Sequence, residues 1–150
     1  MIEVNERFSV PASVDEVWQL LADPHIVVGC VPGAAITAVG EDGSLDTTLS
    51  VKFGPLSVAF QALASLELNE VTHEGRVSAR GRDKQGGARF QASAMFSVTE
   101  DGEGSLVTTR GEVDLKGPLA SMIETGAGAV VKRMSADFAA CLRSKVTPTV

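Results

Sequence analysis

Apolar and polar residues alternate from the start of the chain. Ile2, Val4, Phe8 and Val10 share one face, with Glu3, Asn5, Arg7 and Ser9 on the other, which predicts a half-buried strand over residues 2–10. Pro11 ends it. Ser13-Val14-Asp15-Glu16 has the form of a capping box, in which the first and last residues satisfy exposed amides at a helix start. Val14, Val17, Trp18 and Leu21 then recur at helical spacing, and Pro24 stops the pattern. A second short apolar helix, at about 24–30, runs into Pro32-Gly33.

Period-two patterning takes over. Residues 34–40 and 44–53 flank a Glu41-Asp42-Gly43 turn, a hairpin signal. In the second run Leu45, Leu49, Val51 and Phe53 oppose Asp46, Thr48, Ser50 and Lys52. After Gly54-Pro55 a long strand keeps Leu56, Val58, Phe60, Ala62, Ala64, Leu66 and Leu68 in phase. Turns at His73-Glu74-Gly75 and Gln85-Gly86-Gly87 bound a strand at 76–83, and Ala88, Phe90, Ala92, Ala94, Phe96 and Val98 alternate along the next. Asp101-Gly102-Glu103-Gly104 turns the chain into a last strand at 105–115.

Gly117-Pro118 opens the final element, with proline suited to a helix's first turn. Leu119, Ile123, Val130, Met134, Phe138 and Cys141 form one stripe at three-to-four spacing, so a long amphipathic helix is predicted, about 40 Å if continuous to Lys145. Gly126 and Gly128 lie inside it, each lowering helix stability by up to about 1 kcal/mol. A strand, two short helices, a run of antiparallel strands and one striped helix make an α+β domain in which the sheet curls around the helix.

With 44% hydrophobic and 21% charged residues, the 150-residue chain reads as one soluble domain over 1–146, with 147–150 starting a C-terminal tail or linker. The net charge of -6 argues against nucleic acid as a partner and offers nothing to anionic lipid headgroups. MIEVNERFSV is not a signal peptide and no apolar run is long enough to span a bilayer, so the cytoplasm is the default compartment. Cys30 and Cys141 lie far apart with no CxxC or Cys/His spacing, and neither a zinc site nor a disulfide framework is indicated.

Candidate chemistry is sparse. His73 falls in a turn and reads as solvated; His25 stands five residues before Cys30, but no acid is placed to orient a Cys-His dyad, so Cys30 reads as a small packing residue. Glu112 and Asp114 share a strand face that reads as solvated. Gly126-Ala127-Gly128 lacks the third glycine and the preceding strand of a dinucleotide fingerprint. Arg76, Arg80 and Arg82, with Lys84 and Arg89 nearby, form a basic line read as the guarded edge of a sheet, with a docking patch for an acidic partner as the alternative. Catalytic and metal-ligating residues are therefore expected to be none. The inward strand phases are rich in alanine, at 62, 64, 88, 92 and 94, opposite a glycine-containing helix. Either the helix lies very close to the sheet or space is left for a ligand.

Five stretches, FSVPASVDEVWQLLADP (8–24), CVPGA (30–34), VKFGPLSVAFQALASL (51–66), GGARFQASAMFSV (86–98) and GPLASMI (117–123), together resemble the CoxG family of carbon monoxide dehydrogenase subunits, within the START-like (polyketide cyclase) helix-grip superfamily. The resemblance implies a curved antiparallel sheet of about seven strands wrapped around the long C-terminal helix, with two short helices after strand 1 and a hydrophobic cavity between sheet and helix. The walls it implies are Leu49, Val51, Phe53, Phe60, Phe90, Ala92, Ala94 and Phe96 from strands, with Ile26, Val27, Met122, Ile123, Ala127, Val130 and Met134 from helices. Met95 joins Met122 and Met134 as adaptable lining. Cys30, Pro32 and Gly33 would form a turn at the cavity mouth. The role that the resemblance implies is that of a non-enzymatic accessory protein of a molybdenum carbon monoxide dehydrogenase. The implied partners are that enzyme, a lipophilic electron carrier such as a quinone (menaquinone or ubiquinone, not covalently bound) and, peripherally, the inner face of the cell membrane. A shortened C-terminal tether would fit the VTPTV ending. Two other roles remain open: a recruitment or assembly factor without ligand transport, and a START-like cyclase or dehydratase.

Overall fold

The computed structural model describes residues 2–53 and 55–146; Gly54 of the expected Gly54-Pro55 break and the expected tail at 147–150 lie outside the described residues. Seven strands form one antiparallel sheet: β1 (Ile2–Val10), β2 (Ala34–Val39), β3 (Leu45–Phe53), β4 (Leu56–Asn69), β5 (Glu74–Asp83), β6 (Arg89–Asp101) and β7 (Gly104–Lys116). The order across the sheet is β1-β7-β6-β5-β4-β3-β2, so β2 to β7 are a meander and β1 closes on its last strand. Helices α1 (Val14–Leu21) and α2 (Pro24–Gly29) carry the chain from one edge strand to the other, and α3 (Ala120–Ser144) packs against β1, β3 and β7.

Local chemistry sets the element ends. The Ser13 hydroxyl accepts from the Glu16 amide at 3.2 Å, as the capping pattern predicts. Asp23 caps α2 through its side chain, accepting from the His25 amide at 3.0 Å. Pro118 stands before the first helical residue of α3 rather than in its first turn, and the Leu119 amide donates to the Gly87 carbonyl at 2.8 Å, tying the helix start to the β5–β6 turn. Gly33 has φ +81, where a side chain is strained, and a Cβ there would strike the Ser50 carbonyl oxygen. Its own carbonyl accepts from the Ser50 amide at 3.0 Å, so the Pro32-Gly33 turn is clamped to β3. In the β2–β3 turn the Asp42 carboxylate accepts from the Ser44 hydroxyl at 2.6 Å and from its amide at 3.1 Å, which holds that carboxyl below its ordinary value.

The apolar interior is divided. One cluster joins Val10, Ala12, Val17, Trp18, Leu21, Val98, Val107, Leu142 and Val146. Another joins Val58, Phe60, Ala88, Leu115 and Ile123. Ile123 lies in the first turn of α3 and Leu142 in its last, so each end of the helix is anchored in its own cluster.

Three sequence expectations are corrected. His73 is half-buried, with its ring 5.5 Å from Trp18 and its Nε2 3.6 Å from an Asp15 oxygen, because β5 begins at Glu74 and draws the turn onto α1. Arg76, Arg80 and Arg82 are not on an edge: β5 is the central strand, with three strands on each side. And Cys30 is not merely a packing residue, because it is disulfide-bonded to Cys141, 111 residues away, linking the C-cap of α2 to α3. Sequence spacing gives no sign of the pair because the two helices converge only in the folded chain.

Closing so long a loop stabilises a fold by about 2–5 kcal/mol, mainly by restricting the unfolded chain. Reduction, or the double change Cys30→Ser and Cys141→Ser, should lower the urea-unfolding free energy by that amount. An unchanged midpoint with and without reductant would show that the bond adds nothing to stability.

Candidate functional site

Between the two clusters the inner face of the sheet carries small residues, and α3 does not fill the space above them. The result is a cavity of about 310 Å³. Its floor is built from alternate residues of the strands, including Leu45, Ala64, Leu66, Val77, Ala94, Phe96 and Val107. One wall is β1 (Val4, Glu6, Phe8), another the α1–α2 segment (Leu21, Pro24, Val27, Val28, Val31), and the roof is Met134, Ser135 and Phe138 of α3. Phe8 and Phe138 meet edge to face at 6.2 Å, and Trp18 lies 5.9 Å from Phe96. Phe96 sits directly opposite Gly75, and a Cβ at that glycine would strike the phenyl ring, so the close approach of ring to strand requires glycine there. The Cys30–Cys141 bond joins the two helices that supply Val27, Val28, Met134 and Phe138 to this cavity.

Polar groups are few. Glu6 falls in the inward phase of β1 and is paired in register with Thr109 of β7; both line the cavity, with Ser135 on the helix above. Glu6 is half-buried. An ionised carboxylate accepts hydrogen bonds only, whereas the two hydroxyls both donate and accept. Among the described residues no group of three or more His, Cys, Asp or Glu side chains is arranged to hold a metal ion. With its sulfur bonded to Cys141, Cys30 has no thiol to pair with His25.

Of the residues expected to line a cavity, Val27, Ala94, Phe96 and Met134 are on this wall. Phe60 and Ile123 are buried in the second cluster, and Leu49, Phe53 and Phe90 pack against it. Ala127 is buried, Met122 and Met95 are 55% and 48% exposed, and Ile26, Val51, Ala92 and Val130 are off the wall. Of the mouth turn, Val31 contributes to the wall, while Cys30, Pro32 and Gly33 do not. Glu6 is a lining residue that the sequence reading misses, although the period-two pattern of β1 places it with Val4 and Phe8. Its charge conceals its phase.

A curled antiparallel sheet gripping a long helix over an apolar cavity defines a START-like helix-grip protein. Solved structures share it: a conserved protein from Geobacillus kaustophilus (20% identity, TM-score 0.82, covering 96% of this chain and 94% of that one), a START superfamily protein from Mycobacterium smegmatis (18%, 0.62, 96% and 99%), and the Zhui aromatase/cyclase from Streptomyces sp. R1128 (19%, 0.60, 96% and 92%). At these identities the likeness is one of fold. No curated protein matches the chain. The sequence profile of CoxG, a family of carbon monoxide dehydrogenase subunits, matches residues 7–147, and the chain belongs to that family.

The division of the interior sets unequal tolerances. Ile123→Ala, in the packed cluster, should lower stability by about 2–5 kcal/mol. Ala64→Leu, which adds bulk at the cavity wall, should change it by less than about 1.5 kcal/mol, because it fills space instead of overpacking. Urea unfolding of both variants tests this. An Ala64→Leu loss as large as that of Ile123→Ala would mean that the middle of the helix is packed like its ends.

Proposed function

We propose that the protein is a non-enzymatic carrier that binds a lipophilic ligand, a quinone such as menaquinone, in the cavity beneath α3 and moves it between the membrane and a molybdenum carbon monoxide dehydrogenase. The observation that carries this reading is an apolar cavity held between two separately packed clusters in a member of the CoxG family. About 310 Å³ is at the lower end of the roughly 300–1,000 Å³ of ligand pockets. It suits a ring headgroup and the start of a prenyl tail, with the rest of the tail leaving through the mouth. Burying about 200 Å² of such a ligand at roughly 25 cal/mol/Å² contributes about 5 kcal/mol before the entropy of association is subtracted. Thr109 and Ser135 would donate to quinone carbonyls, and Glu6 would accept from the hydroxyl of the reduced form.

Among the described residues no helix is long and apolar enough to cross a membrane, so in this reading the protein works peripherally, at the inner face of the cell membrane. A disulfide is uncommon in a reducing cytosol, and the Cys30–Cys141 bond joins the helices at the cavity. Ligand binding is therefore to be measured in oxidised and reduced protein alike.

Organic extraction of purified protein, followed by mass spectrometry, should release a quinone from the wild type and none from Ala94→Phe. That variant should still co-purify with the dehydrogenase while electron delivery is lost. Electron delivery that survives in Ala94→Phe would favour the recruitment or assembly role, and absence of any lipophilic molecule from the wild type would overturn the carrier reading. Turnover of a polyketide substrate that depends on Glu6 would instead favour an enzyme. Glu6→Gln should weaken binding of the reduced quinone by about tenfold, since a hydrogen bond to a charged acceptor is lost, and leave the oxidised form nearly unaffected. Titration of each redox form by tryptophan fluorescence measures the difference.

A further inference from the structure

The largest concavity of the molecule is on the other face of the sheet, away from α3. It encloses about 1,150 Å³, and Arg80, Arg82, Lys84, Arg89 and Lys116 line it. Five of the chain's 13 lysines and arginines thus border one groove of a protein whose net charge is -6. Two carboxylates, Asp46 and Asp114, share it.

The register makes this arrangement costly to the fold. Arg82 of β5 is directly opposite Arg89 of β6, and Arg89 is directly opposite Lys116 of β7. Three cations therefore stand in one row across neighbouring strands about 4.8 Å apart. Like charges placed directly opposite destabilise a sheet. None of the five groove cations forms an ion pair with a described residue. The central position of β5 removes the ordinary reason for such a row, since an interior strand has no edge to guard.

We propose that this groove is a docking surface for an acidic segment of a partner protein, and it stands independently of what the internal cavity holds. Carboxylates at i, i+3 and i+4 of a helix are about 5–6 Å apart, close to the spacing of the cationic row. Arginine's planar fork suits carboxylates in particular. Leu63, 37% exposed at the groove, offers an apolar contact beside the charges. A bilayer surface fits less well. The cations lie in a recess beside Asp46 and Asp114, and the net charge of the chain opposes approach to anionic lipid.

The test uses the whole protein and three probes: a fluorescently labelled glutamate-rich peptide, vesicles of phosphatidylcholine with phosphatidylglycerol, and buffer alone in sedimentation. The peptide is expected to bind, with affinity falling severalfold from low to physiological salt as screening increases. Arg82→Gln and Arg89→Gln should each weaken binding by about tenfold, Arg89→Lys should restore much of it, and Glu103→Gln outside the groove should change nothing. Because Arg89→Gln relieves two like-charge juxtapositions, its melting temperature should match or exceed that of the wild type. Peptide binding equal in wild type and variants overturns the proposal, as does binding to vesicles without the peptide. So does self-association at low salt with no peptide binding, or a fall in melting temperature for Arg89→Gln, which would make the row a structural element.

Discussion

The architecture depends on how one long helix is held. An apolar stripe along 25 residues needs a cover as long as itself, and a twisted sheet can supply one only by curling. The sheet meets α3 with bulky residues near its two ends, at Phe60 and Leu115 around Ile123, and at Val10 and Val107 around Leu142. Between them the strands present Ala64, Ala94 and Val77, too short to reach the helix. Stability is concentrated at the ends, and the middle is released from the packing requirement. The cavity is the consequence of that division, and the ligand-carrying role proposed for it uses a region that the fold does not need to fill.

Much of this is legible in the sequence, and what is not has identifiable causes. Alternation locates the strands, and Ser13, Pro24 and Gly33 mark helix starts and turns, because those signals are local. Alternation also tells which side of a strand faces inward. It does not tell how far along α3 a given strand residue lies, since that depends on the curl and stagger of the sheet. Hence Phe60 and Ile123 are inward, as their phase requires, but belong to a packed cluster, whereas Ala64 and Leu66 reach the cavity. Glu6 is a different case: its phase is readable, and only its charge disguises it. The basic line of β5 is visible as a line, yet its place in the centre of the sheet depends on pairing order, which one strand's composition does not encode.

The two faces of the sheet carry different chemistries on the same strands. Ala92 and Ala94 of β6 point inward while Arg89 and Gln91 border the outer groove; Arg80 and Arg82 of β5 look outward while Val77 reaches the cavity. A period-two backbone lets one strand serve two surfaces without compromise, because alternate side chains never compete for the same space. Substitutions on one face can thus be read with little interference from the other, provided the strand itself stays intact.

The bond between Cys30 and Cys141 also decides how the molecule bears load. It closes residues 30–141 into a covalent ring that contains β2 to β7 and most of α3, leaving β1, α1 and α2 as an arm outside. Tension applied between the two chain ends passes along that arm, crosses the sulfurs and leaves through the last turn of α3. The meander is never in the path of the force. Pulling can peel β1 from β7, but the remaining six strands cannot be drawn out until the bond is cut. A protein held to a moving surface by one end and to a partner by the other would keep its sheet under loads that would unravel an unlinked chain.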